Sequence, residues 1–124
     1  YHLPNLIRHG KLSQVELSEL LKDMQLHIFP SRSEGFPKVI LEAASAGVPS
    51  LVYSDYGANQ WIDNYQNGFV VQTLDEMKAV VEDLLNKKAS LNQISKNAIQ
   101  LGLSYDWKLK INVWQDAILA LSSK

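Results

Sequence analysis

Short apolar runs alternate with stretches of helical period along most of this chain, and few folds accept that order. Leu26 to Phe29 is an apolar run stopped by Pro30, and Ser50 to Tyr53 is another. Between them Pro37 suits a first helical position and Gly47 a helix end. Phe69, Val70 and Val71 follow the Asn67-Gly68 turn as a further strand, and Asn5 to His9, stopped by Gly10, reads as an early one. Ser13 with Glu16 makes a capping box ahead of Val15, Leu17, Leu20, Leu21 and Met24, which predicts a helix over residues 14–24. After Ser54 the string D-Y-G-A-N is turn chemistry, and Asn59 is placed to cap a short helix through Trp61, Ile62 and Tyr65. Thr73 with Glu76 repeats the capping box before the stripe Leu74, Met77, Val80, Val81, Leu84 and Leu85. Ser90 with Gln93 opens a helix through Ile94, Ala98, Ile99 and Leu101. A last helix is expected from about Trp107 to Leu121, with Trp107, Ile111, Trp114, Ile118 and Leu121 as its apolar face. Strands alternating with helices mark an α/β domain, a parallel sheet covered by helices on both faces. No repeat, low-complexity segment or linker divides residues 1–124, so a single domain is expected.

Composition narrows the partners. The chain has 124 residues, 46% hydrophobic and 20% charged, the make-up of one ordered domain with a real core. Twelve basic and thirteen acidic residues are scattered to a formal net charge of -1, so there is no general pull toward nucleic acid and no nucleic-acid partner is expected. The lack of cysteine excludes disulfide scaffolds and thiolate metal sites. No apolar run approaches the ~20 residues of a membrane span and no signal-peptide pattern opens the chain, so the domain itself is expected to be soluble. It begins at Tyr1 rather than methionine and reads as a piece of something longer.

The chemistry concentrates between Pro30 and Pro49. Ligands of open α/β sheets bind beyond the carboxyl ends of the strands, where loops lead into helix N-termini. The loop Pro30, Ser31, Arg32, Ser33, Glu34, Gly35, Phe36 is such a place, and the N–H groups of Gly35, Phe36 and Lys38 could meet an anion such as a phosphate. From Val39 to Val48 the only charge is Glu42. A desolvated, unpartnered carboxylate is costly, so Glu42 is expected to face a cleft or meet donors. It lies roughly 7 to 8 Å along the helix from Pro37 at 1.5 Å per residue. Two acceptors flanking an anion site, Glu34 and Glu42, suit a ligand with hydroxyls on both sides of a phosphate, as in a nucleotide-sugar.

The run F-P-S-R-S-E-G-F-P-K-V-I-L-E-A-A-S-A-G-V-P resembles the Glu, seven residues, Glu motif of retaining GT-B glycosyltransferases of the family 4 type. The segment ending in His9-Gly10, the helix near Ser13, the Asn67 to Val71 stretch and Tyr105-Asp106-Trp107 follow the family's order as well. The resemblance implies the C-terminal, Rossmann-like, nucleotide-sugar-binding domain of a GT-B fold, with the N-terminal acceptor domain and the first strands of the donor domain upstream of Tyr1. It implies that Glu34 contacts donor-sugar hydroxyls, as the catalytic-site carboxylate in a positioning role rather than as a base. Gly35, Phe36, Lys38 and Val39 would approach the sugar and diphosphate, Glu42 would bind the ribose hydroxyls, and His9, Gly10 and Lys11 would lie near the nucleobase. The family's basic pair for the diphosphate has no counterpart by position; Arg8, Lys11, Arg32 and Lys38 are the available substitutes.

The implied activity is that of a hexosyltransferase-type enzyme carrying sugar from UDP or GDP to a hydroxyl of a glycan or lipid-linked acceptor, in polysaccharide, lipopolysaccharide or glycolipid synthesis. The fragment alone is expected to be inactive. Its parent is expected in the cytoplasm, peripherally at the cytoplasmic membrane face. No cofactor or metal is implied, and Asp55 and Asp63 are not spaced as a metal site. A non-catalytic nucleotide-sugar-binding module or subunit is the alternative, with another GT-B activity such as an epimerase or phosphorylase behind it. Plain structural readings stand beside these: Glu34 merely leading a helix, Glu42 and Lys38 solvated, His9 packed. Trp61, Tyr53, Tyr56 and Tyr65 are read as packing on the sheet, and Trp107 and Trp114 as core.

Overall fold

The computed structural model describes residues 4–33, 38–86, 90–105 and 117–121. Its elements run α1 (Gln14–Leu21), β1 (His27–Phe29), α2 (Lys38–Ser45), β2 (Ser50–Tyr53), a 3-10 turn (Ala58–Gln60), β3 (Phe69–Val71), α3 (Leu74–Leu85) and α4 (Leu91–Ser104). The strands form one parallel sheet in the order β1-β2-β3, with Ile28 beside Leu51 and Leu51 beside Phe69.

Alternation along β2 explains the two-sided core. Val52 packs with Ile40, Ala44, Ala98 and Leu101 of α2 and α4, whereas Leu51 and Tyr53 pack with Phe69, Met77 and Val80 on the α3 side. All of β2 is buried, as expected for a parallel strand covered on both faces. Helix α1 joins the α2 side through Leu21 against Ala43 and Val48. Helix α4 comes so close to α2 that a Cβ on Gly102 would lie 2.8 Å from the backbone nitrogen of Ser45.

Local signals set most of the helix ends. Ser13 and Glu16 exchange both bonds of a capping box, at 3.1 Å each. Thr73 accepts from the Glu76 N–H, while the Glu76 carboxylate reaches Gln72 N–H rather than that of Thr73. Helix α2 closes in a Schellman arrangement: Val48 N–H donates to Ala43 C=O and Gly47 N–H to Ala44 C=O, both at 2.9 Å. Gly47 takes φ 79°, the left-handed conformation such an ending requires.

Three expectations are corrected. Residues 5–9 are not a strand; the whole of 4–10 is exposed, with Ile7 at 78%, and among the described residues no strand pairs with it to complete its hydrogen bonds. The helix expected over 14–24 stops at Leu21, where Asp23 and Met24 N–H groups fold back to Leu20 and Leu21 carbonyls; Met24 is left exposed, and so is Val15 within the helix. The helix expected through Trp61, Ile62 and Tyr65 is a single 3-10 turn led by Gly57, not capped by Asn59. Asp63 C=O then accepts from Gln66 and Asn67 N–H groups, which diverts the chain into a turn. Of the last predicted helix, residues 117–121 are helical with Ile118 and Leu121 exposed; Trp107, Ile111 and Trp114 lie outside the described residues.

One part-buried histidine couples this fold to pH. His27 Nδ1 shares a 2.8 Å hydrogen bond with Ser50 Oγ across the β1–β2 pair, and burial pushes its pKa below the ordinary 6.5. A depressed histidine contributes stability above its unfolded pKa that is lost as pH falls through 6.5 toward the folded value. Urea midpoints are therefore expected to drop between about pH 7.5 and about pH 5.5, with a smaller drop for His27→Asn. An equal drop in both proteins would remove His27 as the cause.

Candidate functional site

The carboxyl ends of all three described strands are tied together by one side chain. Arg32, just after β1, donates from Nη1 to Asp55 Oδ1 at 2.9 Å and Oδ2 at 3.2 Å, just after β2. Its Nη2 donates to the Gln72 carbonyl at 3.2 Å, just after β3. The guanidinium carbon lies 3.8 Å from the centre of the Tyr53 ring. Sequence reasoning treated Arg32 only as a substitute phosphate cation and considered Asp55 only to set it aside as a metal ligand. The signal that could have paired them is positional: each lies within three residues of a strand's carboxyl end, so parallel register brings them together.

Helix α2 distributes its residues by helical period. Ile40, Ala43 and Ala44 face the core, Lys38 and Val39 are exposed on the first turn, and Glu42 is half-buried on the flank toward α1. There Glu42 lines a groove of about 370 Å³ with Ser18 and Leu21 of α1, Lys22 just after it, and Ser45 and Ala46. Among the described residues its carboxylate has no hydrogen-bond partner. The groove runs from Glu42 toward the C-terminal end of α2.

Glu34, Gly35 and Phe36 lie outside the described residues. His9 and Gly10 are placed in the exposed segment before α1, and the space where a Gly10 side chain would begin is open. The structure thus gathers Lys38, Val39 and Glu42 on one short helix and leaves His9 and Gly10 off any regular element. Tyr53 is buried beneath Arg32, Trp61 and Tyr56 pack against the α2–α4 core, and Tyr65 stands edge-on to Phe69 with ring centres 5.0 Å apart. A larger cavity of about 550 Å³ lies between the segment leading into β3 and α4, lined by amides such as Asn67, Asn97 and Gln100 and the rings of Trp61 and Tyr105. Its lining includes neither the residues of α2 nor Arg32, Asp55 and Gln72 at the strands' carboxyl ends.

This arrangement, a parallel sheet with helices on both faces and functional candidates at its carboxyl edge, is part of a Rossmann-like domain as found in GT-B glycosyltransferases. The model of the family described as Glycosyl transferases group 1 matches residues 2–101, and the chain belongs to that family. A Campylobacter jejuni N,N'-diacetylbacillosaminyl-diphospho-undecaprenol alpha-1,3-N-acetylgalactosaminyltransferase is 30% identical over 93 residues, 73% of this chain and 25% of that protein. An Escherichia coli UDP-Gal:alpha-D-GlcNAc-diphosphoundecaprenol alpha-1,3-galactosyltransferase is 32% identical over 84 residues, 66% of this chain and 21% of that one. The chain spans about a quarter of the length of these curated relatives. Among solved structures, the pneumococcal O-GlcNAc transferase GtfA in complex with UDP and GlcNAc superposes with a TM-score of 0.71 at 21% identity, over 88% of this chain and 23% of that one. Anabaena HepE in complex with UDP gives 0.69 at 22% identity, over 90% of this chain and 31% of that one.

Proposed function

We propose that this chain is the nucleotide-sugar-binding part of a retaining glycosyltransferase of the family 4 type, with Glu34 and Glu42 as the paired carboxylates of its motif. The observation that carries this reading is the placement of Glu42: half-buried, lining a groove, without a described partner, on a helix that begins at the carboxyl edge of a parallel sheet. A carboxylate so placed is an acceptor for ribose hydroxyls, and a vicinal diol can satisfy both of its oxygens. Glu34 holds the donor sugar, while Gly35, Phe36, Lys38 and Val39 approach the sugar and diphosphate. As the glycosidic bond breaks, negative charge grows on the departing diphosphate, which helix N-terminal N–H groups and the Lys38 ammonium stabilise. His9 and Gly10 border the nucleobase. The reaction needs no metal or other cofactor; the nucleotide is UDP or GDP.

The acceptor half and the first strands of this domain belong upstream. β1 sits at the edge of the described sheet, with Ile28 at 47% exposure beside an apolar groove of about 340 Å³ lined by Leu74, Met77 and Val81. Since α1 shares a face with α2, the right-handed crossover rule puts the strand preceding α1 on the free side of β1. That edge has room for further strands. The names of the relatives from Campylobacter jejuni and Escherichia coli describe transfer to diphospho-undecaprenol-linked sugars. They support a hexosyltransferase acting on a lipid-linked or glycan acceptor, and we place that activity at the cytoplasmic membrane face. Among the described residues no helix is long and apolar enough to cross a membrane.

The test is a titration of the full-length protein with UDP, GDP and their sugars, beside Glu42→Ala. Loss of a charge-assisted hydrogen bond is expected to weaken nucleotide binding about tenfold or more. A variant that binds as tightly as the parent would remove Glu42 from the ribose. Binding without transfer to any acceptor would favour the non-catalytic module instead.

A further inference from the structure

The contacts of Arg32 go beyond what a cation awaiting a phosphate would make. Its guanidinium meets a carboxylate after β2, a backbone carbonyl after β3 and the face of Tyr53, while its own backbone belongs to the loop after β1. The partners are 23 and 40 residues away in sequence, so one planar group measures the relative positions of three strand ends. We propose that Arg32 is a positioning residue, which with Asp55 and Gln72 ties the described start of the loop after β1, residues 30–33, to the carboxyl edge of the sheet, serves donor placement through that anchor, and leaves neutralisation of the diphosphate to other groups. This rests on the donor-site reading above.

Three physical points support it. Asp55 already balances the Arg32 charge, and a second anion at the same fork would have to compete with a carboxylate that touches it through both oxygens. The side chains are 50% and 36% exposed, and an exposed pair of this kind adds little to global stability, so its effect is on local geometry. Arginine alone offers a rigid fork that can meet a carboxylate and a carbonyl while stacking on a ring; lysine would keep the charge and lose the geometry.

The experiment uses the full-length protein with Arg32→Gln, Arg32→Lys, Asp55→Asn and the double variant Arg32→Gln/Asp55→Asn. The readouts are the Kd of UDP or GDP, whichever the parent binds, donor KM and kcat, and the melting temperature. Misplacing a substrate-positioning loop lowers kcat by about 10- to 100-fold. That loss is expected for Arg32→Gln and Asp55→Asn alike, without rescue by Arg32→Lys. The double variant is expected to be no worse than the poorer single one, because the two act as a unit. Nucleotide Kd is expected to stay within about twofold, since the bare nucleotide makes none of the Glu34 contacts. A diphosphate cation gives the opposite pattern: Arg32→Gln weakens the nucleotide, Arg32→Lys restores it, and Asp55→Asn leaves it unchanged or tightens it. That result overturns the proposal, as does full activity in the single variants. If Arg32→Gln melts far below the parent, Asp55→Asn, a change of one atom, decides by the same criteria. A parent that binds neither nucleotide would instead overturn the donor-site reading, visibly and before any variant is compared.

Discussion

In the full-length protein, Glu34→Ala is expected to lower sugar transfer by about 100-fold while the Kd of the bare nucleotide changes by less than about twofold. The two proposed carboxylates divide the donor between them, so their variants fail differently. Glu34 is assigned to sugar hydroxyls that the bare nucleotide lacks, and removing it leaves the nucleotide's own contacts intact. The donor then binds with its anomeric carbon free to wander, and a near-attack geometry loses its frequency rather than its chemistry. Glu42→Ala, by contrast, weakens nucleotide and nucleotide-sugar together. Measuring transfer and nucleotide affinity on the same preparations separates the cases. Equal losses of both in Glu34→Ala would contradict the division of roles.

Phe69→Ala is expected to cost about 3–5 kcal/mol of stability, the range for deleting a large buried aromatic side chain. Phe69 is fully buried on β3, between Leu51 of β2 and the α3 residues Met77 and Val80. Its ring also meets Tyr65 edge-on at 5.0 Å, an interaction that alanine forfeits. Parallel strands on one side and a helix on the other hold the walls of this site, so collapse can recover only part of the lost contact. A urea denaturation series with Phe69→Leu between the two extremes checks the expectation. A loss below about 1 kcal/mol would mean that the cavity closes, and that Phe69 is not the keystone its burial indicates.

The elements legible in the sequence share a local cause. Ser13 and Glu16, or Thr73 and Glu76, carry the donors and acceptors of a helix start within a few residues, so their pattern survives any tertiary arrangement. Gly47 marks a helix end because left-handed backbone is a property of one residue. The unbroken apolar run Ser50 to Tyr53 is the central strand, found with the boundaries its composition suggests. Failures occur where a segment depends on a partner. Asn5 to His9 has strand composition but no neighbouring strand among the described residues, and residues 4–10 stay exposed. Trp61, Ile62 and Tyr65 repeat at helical spacing, yet the carbonyl of Asp63 closes a turn instead.

The candidate site divides along the same line. Glu42 stands out from sequence because a lone charge in an apolar helix must be accommodated, and helical period alone sets it apart from the core positions Ile40, Ala43 and Ala44. What lies opposite it is invisible in sequence: Ser18, Leu21 and Lys22 arrive from a helix and its cap about 20 residues earlier. The Arg32–Asp55–Gln72 connection was missed because each residue alone is ordinary loop chemistry, and only parallel register brings them within 3.2 Å.

By itself, then, the sequence determined the order of the main strands and helices, the caps that begin most of those helices, the glycine that ends α2 and the carboxylate that an apolar helix could not ignore. These follow from interactions within one turn or one strand. Tertiary structure decided which faces meet: Gly102 against Ser45, α1 beside Glu42, and one guanidinium spanning three strand ends. The reason is range. Capping and periodicity act over a few residues, whereas a groove or a clamp exists only after the sheet has brought distant loops to a common edge.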